Sequence, residues 1–236
     1  MRTRSKPSEE ALRSLNDSLE SKQPQDVLAY ALDQYLDQIV LACSFGAEDV
    51  VLVDMIHRIK PGVPLLYLDT DFLFKETYEV MDRIVAKYAL QPDQVIRVTS
   101  RLTPEEQATR YGEALWLQNP DQCCHLRKVE PLGRALSHYA AWITGIRRDQ
   151  SPTRAHAPLV EWDARFALVK FNPLARWTAT DIWTYIRDHE VPYNTLHDRN
   201  YPSIGCTHCT APVLPGEDPR SGRWKQLGKT ECGLHR

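Results

Sequence analysis

Apolar residues recur along the chain in two alternating rhythms. Residues 26–36 carry Val27, Leu28, Ala31, Leu32 and Tyr35 at helical spacing. A short apolar run follows at 38–43 (QIVLAC), then helical spacing over 50–59, then a second apolar run at 63–68 (VPLLYL). Phe74, Tyr78, Met81, Val85 and Tyr88 again fall three or four residues apart, and 94–98 reads as a third strand. Further on, 141–146 and 166–171 read as strands. Residues 178–189 read as a helix, with Thr178 as its N-cap and Asp181 three positions later. Strands alternating with helices predict an α/β fold: an open, mostly parallel, twisted sheet with helices on both faces and right-handed crossovers.

The flanks read differently. Residues 1–22 are polar and predict a loose helix or partly disordered arm. Residues 23–215 form the predicted α/β domain. From Tyr193 onward proline, glycine and polar residues dominate, so the segment is expected to be mostly loop, and 216–236 is expected to be a mobile tail.

Composition narrows the function classes. At 236 residues, with 42% apolar and 25% charged positions, the chain suits one α/β domain with a full core. It has no apolar run near the roughly 20 residues of a membrane span, and no apolar segment follows the basic N-terminus, so a cytoplasmic protein without membrane contact is expected. The net charge of −2 is unevenly spread: residues 1–120 carry 13 Lys/Arg against 19 Asp/Glu, and residues 121–236 carry 16 against 12. That excess is too small and scattered for DNA or RNA, but it suits a small polyanion held by a few arginines.

Two loops at predicted strand ends are candidates for holding such a ligand. The first strand ends in Cys43-Ser44-Phe45-Gly46 with a helix immediately after, offering free backbone N–H groups and a helix dipole to an anion. A tight strand-to-helix turn explains the same residues. The second strand ends in Leu68-Asp69-Thr70, where Asp69 or Thr70 can serve a ribose or adenine edge, or merely cap a helix. Cys43 itself reads as a buried strand residue.

The cysteines carry the sharpest signal. Cys123 and Cys124 are adjacent, Cys206 and Cys209 form a CxxC, and Cys232 stands near the C-terminus in Glu-Cys-Gly-Leu-His. Two pairs supply four soft ligands, enough for a zinc ion or an iron–sulfur cluster. Adjacent thiolates diverge too much to share one ion readily but can each take a different iron, which favours a 4Fe–4S cluster over zinc. His125 and His208 read as spacers or as donors behind the ligands. Arg127 and Lys128 stand beside the first pair, where they can offset cluster charge or hold an anion. Cys232 is a spare thiol on a glycine-containing tail, with Lys229 and His235 able to favour its thiolate and Glu231 opposing them. Arg147 and Arg148 follow a predicted strand, and Arg220 and Arg223 precede the tail. Guanidinium groups at loop ends suggest an anion pocket.

Taken in order, Ser-Phe-Gly-Ala-Glu-Asp, Leu-Asp-Thr, Cys-Cys-x-x-Arg-Lys, Thr-Gly-Ile-Arg-Arg-Asp-Gln, Gly-Cys-x-x-Cys-Thr and Glu-Cys-Gly-Leu-His resemble the assimilatory sulfonucleotide reductases, more narrowly their iron–sulfur type, over residues 38–236. The resemblance implies an adenine-nucleotide α-hydrolase-like fold, shared with ATP pyrophosphatases, and one 4Fe–4S cluster per chain on Cys123, Cys124, Cys206 and Cys209. It implies that adenylyl-sulfate (APS) lies with its adenosine against Ser44, Phe45, Gly46, Leu68, Asp69 and Thr70. Its phosphosulfate would lie under Lys128, Arg147, Arg148, Arg220, Arg223 and His235. Cys232 would attack the sulfate sulfur and release AMP, and reduced thioredoxin would free sulfite from the resulting S-sulfonate. The cluster's role would be electrostatic and structural. Acceptance of phosphoadenylyl-sulfate (PAPS) beside APS stays open, since some relatives carry an extra serine in the first loop. A homo-oligomer is the expected assembly. Two other readings compete: a nucleotide-activating ligase of the ATP-pyrophosphatase type, which needs a glycine-richer loop and an RNA-binding surface, and a non-catalytic redox sensor, which needs neither the nucleotide loops nor Cys232.

Overall fold

The computed structural model describes residues 5–225, 229 and 231–234. Among these, six strands form one sheet in the order β3-β2-β1-β4-β6-β5. They are β1 (Ile39–Ala42), β2 (Leu65–Asp69), β3 (Val95–Thr99), β4 (Ala141–Ile143), β5 (Val160–Asp163) and β6 (Leu168–Phe171). Every pairing is parallel except β5 with β6. β1 is flanked by β2 on one side and β4 on the other, so successive crossovers leave β1 in opposite directions. The loops after β1 and β4 part there and open a crevice at the carboxyl ends of the strands.

Strand alternation divides the core into two layers. Ile39, Leu41, Leu65, Ala141 and Ile143 point to one face with α2 (Pro24–Tyr35), α3 (Ala47–Ile59) and α9 (Ala179–Asp188). Val40, Leu66 and Trp142 point to the other, against Leu132 and Leu136 of α8 (Glu130–Leu136). Leu132, Leu136 and Trp142 are almost wholly buried, each removal from water being worth about 1.5–3 kcal/mol. Helix starts follow local chemistry. The Asp26 carboxylate accepts the Gln23 N–H (3.1 Å) at the start of α2, and Thr178 and Asp181 form a capping box around α9, as the spacing of that second pair predicts.

Several elements depart from the sequence expectation. The strand expected over 141–146 stops at Ile143, because Thr144 turns to hydrogen-bond Asn172 (2.6 Å) and Gly145 passes tightly over the start of α3. β5 lies at the sheet edge, where its sequence, VEWD, mixes acidic with apolar residues and leaves no apolar run. Residues 104–124 hold α5 (Pro104–Tyr111), α6 (Leu115–Gln118) and α7 (Pro120–Cys124), which the apolar pattern did not reveal. The N-terminal segment contains α1 (Glu9–Leu19), whose Asn16 exchanges hydrogen bonds with Val160 of β5 and whose Leu19 is buried in the main core. No helix of the described residues is long and apolar enough to cross a membrane.

Gly145 illustrates how closely the crevice is built. A Cβ there would lie 2.6 Å from Asp49 Oδ1 and 2.8 Å from Glu48 Cβ. Gly145→Ala is therefore expected to lower stability by about 1–3 kcal/mol through overpacking. Thermal unfolding checks this; an unchanged midpoint would show that the loop yields freely.

Candidate active site

The loops after β1, β2 and β4 surround a cavity of about 720 Å³, closed on the far side by residues 202–205, the 219–224 loop and the tail. Ser44 sits at its rim. The Asp49 carboxylate accepts both the Ser44 N–H (2.5 Å) and its hydroxyl (2.6 Å), which ties the loop after β1 to the first turn of α3. Burial pushes the Asp49 carboxyl up to about 6, against the pull of those two hydrogen bonds. Phe45 takes a left-handed backbone conformation (φ 58°) with its ring buried edge-on to Tyr67. A bulky residue in that region is strained and is kept there by surrounding packing. Gly46 begins α3 with no side-chain cap, which leaves the backbone N–H groups of that helix facing the cavity.

Leu68 and Thr70 also line the cavity, but Asp69 does not. Its buried carboxylate accepts from Tyr78 (2.8 Å), the Arg97 guanidinium (2.8 Å) and the Asp71 N–H (3.0 Å), so it holds the loop rather than facing a ligand. Tyr78 and Arg97 lie within the neighbouring helix and strand, and no sequence spacing revealed that they would claim Asp69. Thr70 does reach the site. Its hydroxyl lies 3.3 Å from the Cys206 sulfur, joining the nucleotide loop to the cysteines.

The cations separate into paired and unpaired groups. Arg147 donates to Glu48 (2.9 Å) and Asp149 while lining the cavity wall. Arg148 faces away: it pairs with Glu20 (2.6 Å) and donates to the Ala157 carbonyl (2.9 Å), so the structure does not bring it to the cavity. Arg148 opens a 3-10 turn over Arg148–Gln150, its own N–H bonded to the Ala175 carbonyl (2.8 Å), and its side chain leaves that turn toward α1. Arg154, in the same loop, was not anticipated. It lines the cavity and binds Glu231 with Arg220. Lys128 and Arg223 also line it, and among the described residues neither has a carboxylate partner. Burial pulls the Lys128 ammonium down, but the thiolates of Cys206, Cys232 and Cys124 outweigh that and hold it well above its ordinary value. Arg223 lies over the Trp224 ring at 4.4 Å and fits only because residue 205 is glycine, where a Cβ would come within 2.3 Å of its Nη2. Cys232 is half-buried in the same wall. His235 lies outside the described residues.

The other four cysteines, Cys123, Cys124, Cys206 and Cys209, line a second, small cavity together with Trp116 and His208. α7, which ends in Cys123 and Cys124, continues through a π-helical turn at His125–Val129, which carries Arg127 and Lys128, into α8. Cys206 and Cys209 flank a 3-10 turn that is hydrogen-bonded to the loop after β2, Thr207 N–H to the Phe72 carbonyl at 2.8 Å. His208 stacks flat on Trp116 at 3.9 Å, so it acts as a wall rather than a ligand. Among the described residues no three Cys, His, Asp or Glu side chains gather closely enough to hold one metal ion. Burial, together with Cys124, Cys206 and Cys209, pushes the Cys123 thiol up to about 12; burial and Cys206 push Cys209 up to about 11. Thiols held this high keep their protons and give them up only to a cation that binds the sulfurs. Two buried donors in this wall, Arg127 Nη2 and Trp224 Nε1, have no acceptor among the described residues, and sulfur atoms of a guest would supply one. The rest of Arg127 is committed to Asp71 (2.6 Å) and Gln107 (2.8 Å), so it braces the cysteine helix. Lys128 and Trp224 stand in the walls of both cavities.

Known proteins resemble the chain throughout. The family model for the phosphoadenosine phosphosulfate reductase domain matches residues 38–212. An adenosine 5'-phosphosulfate reductase of Shouchella clausii is 52% identical over 94% of this chain and 91% of its own, and one of Halalkalibacterium halodurans is 50% identical over 95% and 96%. The crystal structure of phosphoadenylyl-sulfate (PAPS) reductase from Candida auris, a phosphate complex, superimposes with a TM-score of 0.76 at 33% identity, covering 87% of this chain and 98% of that one. FMN adenylyltransferase of Candida glabrata shares the fold alone (TM-score 0.58, 16% identity). With its parallel sheet, crevice loops and matched residues agreeing, the chain belongs to the phosphoadenosine phosphosulfate reductase family.

Proposed function

We propose that this chain is an oxidoreductase that reduces adenylyl-sulfate to sulfite and AMP in sulfate assimilation, with reduced thioredoxin as the thiol donor. The observation that carries the reading is the Cys232 thiol in the wall of the nucleotide cavity beside two cations, Lys128 and Arg223, that lack carboxylate partners. A nucleophile and an unsatisfied pair of positive charges at the carboxyl edge of the sheet suit a phosphosulfate. The relatives named as APS reductases, at half identity, favour APS over PAPS.

The adenosine is placed against Ser44, Phe45, Gly46, Leu68 and Thr70, and the phosphosulfate against Lys128 and Arg223. The thiolate of Cys232 attacks the sulfate sulfur; a sulfur–sulfur bond forms and the bond from sulfur to the bridging phosphate oxygen breaks. AMP leaves with that oxygen, its charge met by the cations, and Cys232 carries a sulfonate. A thiolate of the donor then attacks the Cys232 sulfur and sulfite departs. The donor's second thiol resolves the mixed disulfide, returning the Cys232 thiolate. Two donor thiols are oxidised to one disulfide as sulfate sulfur is reduced to sulfite.

Cys123, Cys124, Cys206 and Cys209 suit a 4Fe–4S cluster: they line one cavity, four thiols are the ligand set such a cluster takes, and Arg127 and Trp224, each with an unpartnered donor, line the same cavity. When bound, the cluster supplies local electrostatics and ties the CxxC segment to the cysteine helix. Lys128, in the wall shared by the two cavities, is the residue that faces both it and the substrate.

Cys232→Ser is expected to abolish sulfite release from APS while the visible absorbance of the cluster persists; normal turnover would refute the mechanism. Cys209→Ser is expected to lose iron and sulfide on analysis, and a colourless wild type holding zinc instead would refute the cluster. Sulfite assays with APS and PAPS side by side are expected to favour APS by at least about 10²-fold, the scale of discrimination a site achieves when an added group is left unpaired.

A further inference from the structure

The tail segment around Cys232 is held from both sides. On one side, the buried Glu231 carboxylate receives two hydrogen bonds from Arg154, Nε at 2.9 Å and Nη2 at 2.8 Å, one from Arg220 Nη2 at 3.1 Å, and one from the Thr153 hydroxyl at 3.3 Å. Burial raises the Glu231 carboxyl, but the Arg154 and Arg220 guanidiniums prevail and keep it below its ordinary value. On the other side, Arg165 donates to the Gly233 carbonyl. Gly233 has φ +87°, a conformation natural to glycine that turns the chain directly after the thiol. Leu234 then packs on the second core layer. Upstream, Lys229 donates to the Pro120 carbonyl (3.1 Å) and pairs with Asp121 (2.8 Å) at the start of the cysteine helix.

From this arrangement we infer that Glu231 is the positioning residue for the nucleophile, its carboxylate docking the tail on Arg154 and Arg220 so that the Cys232 thiol faces the nucleotide cavity. The inference rests on the reading of Cys232 as the sulfur acceptor. Arg154 is itself braced: its Nη1 donates to Gln150 (2.7 Å), whose Oε1 also accepts the Arg147 N–H (3.0 Å), so the dock is part of the loop after β4. The fit also divides labour among the arginines. Arg220 and Arg154 hold the tail, while Arg223 and Lys128 remain for the phosphosulfate. A neutral side chain at 231 would remove the carboxylate that Arg154 and Arg220 share and free the segment next to the thiol.

The test uses the full chain with its cluster. APS is added without reductant, the reaction is quenched at intervals, and the Cys232 peptide is weighed for the gain of about 80 Da that a sulfonyl group adds to a nucleophile. Glu231→Gln is expected to slow adduct formation at saturating APS by at least about ten-fold, the scale of a misplaced reacting group. The APS concentration giving half the maximal rate should stay unchanged or fall, because Arg223 and Lys128 are untouched. Arg154→Gln should have the same effect, the double variant should be no slower than either single one, and Glu231→Asp should recover part of the rate. Iodoacetamide labelling of Cys232 without nucleotide, read by mass, should be several-fold faster in Glu231→Gln, with cluster absorbance unchanged. Adduct formation in Glu231→Gln at the wild-type rate overturns the inference, as does faster formation, which would make Glu231 a blocking group. Parallel loss of absorbance and rate overturns it too, since Glu231 would then be merely structural. Should wild type form no adduct, the functional reading fails, and the labelling comparison still decides whether Glu231 docks the tail.

Discussion

One ammonium group stands between the two halves of this site. Lys128 leaves the cysteine helix one turn after Cys124 and enters the wall common to the thiol cavity and the nucleotide cavity. Neighbouring cysteine side chains favour its charge on one side, and the proposed anionic ligand would do so on the other. The Thr70–Cys206 contact makes a second link, from the loop after β2. The sheet's crevice, the cysteine helix and the fold-back of the C-terminal segment all meet at this point.

Elsewhere the protein handles buried charge by strict pairing. Asp69 is saturated by Tyr78, Arg97 and a backbone N–H; Arg147 is shared by Glu48 and Asp149; Arg127 is divided between Asp71 and Gln107. Each such network converts a flexible loop into a fixed edge of the cavity, because breaking it strands an unsolvated group. Against that background the lack of a carboxylate at Lys128 and Arg223 stands out as a place kept for a ligand. The geometry around Arg223, with glycine beneath and tryptophan above, keeps the guanidinium aimed without neutralising it.

How much of this was legible beforehand depended on the range of the interaction. The alternation of short apolar runs with helical spacing was enough for the parallel sheet, since buried strands and amphipathic helices leave local marks. The gathering of Cys123, Cys124, Cys206 and Cys209 around one cavity was legible in their grouping along the chain, while their role and that of Cys232 belong to the proposed function. Arg148 and Asp69 were not: whether an arginine or aspartate faces a ligand depends on Glu20 or Arg97, residues far along the chain. Arg154 was missed for the same reason, because its partner Glu231 lies 77 residues away. The α5 start did carry a local signal, Thr103-Pro104 with Glu106, that a capping search would have caught.

His208 stacks flat on Trp116, with Phe72 edge-on to both, in the wall of the cysteine cavity. The three rings come from separate stretches of the chain, so aromatic contact ties the CxxC turn to α6 and to the loop after β2. The Thr207–Phe72 backbone hydrogen bond adds to that tie. The turn that carries Cys206 and Cys209 is therefore anchored by the polypeptide itself, and its place beside α7 does not depend on a guest alone.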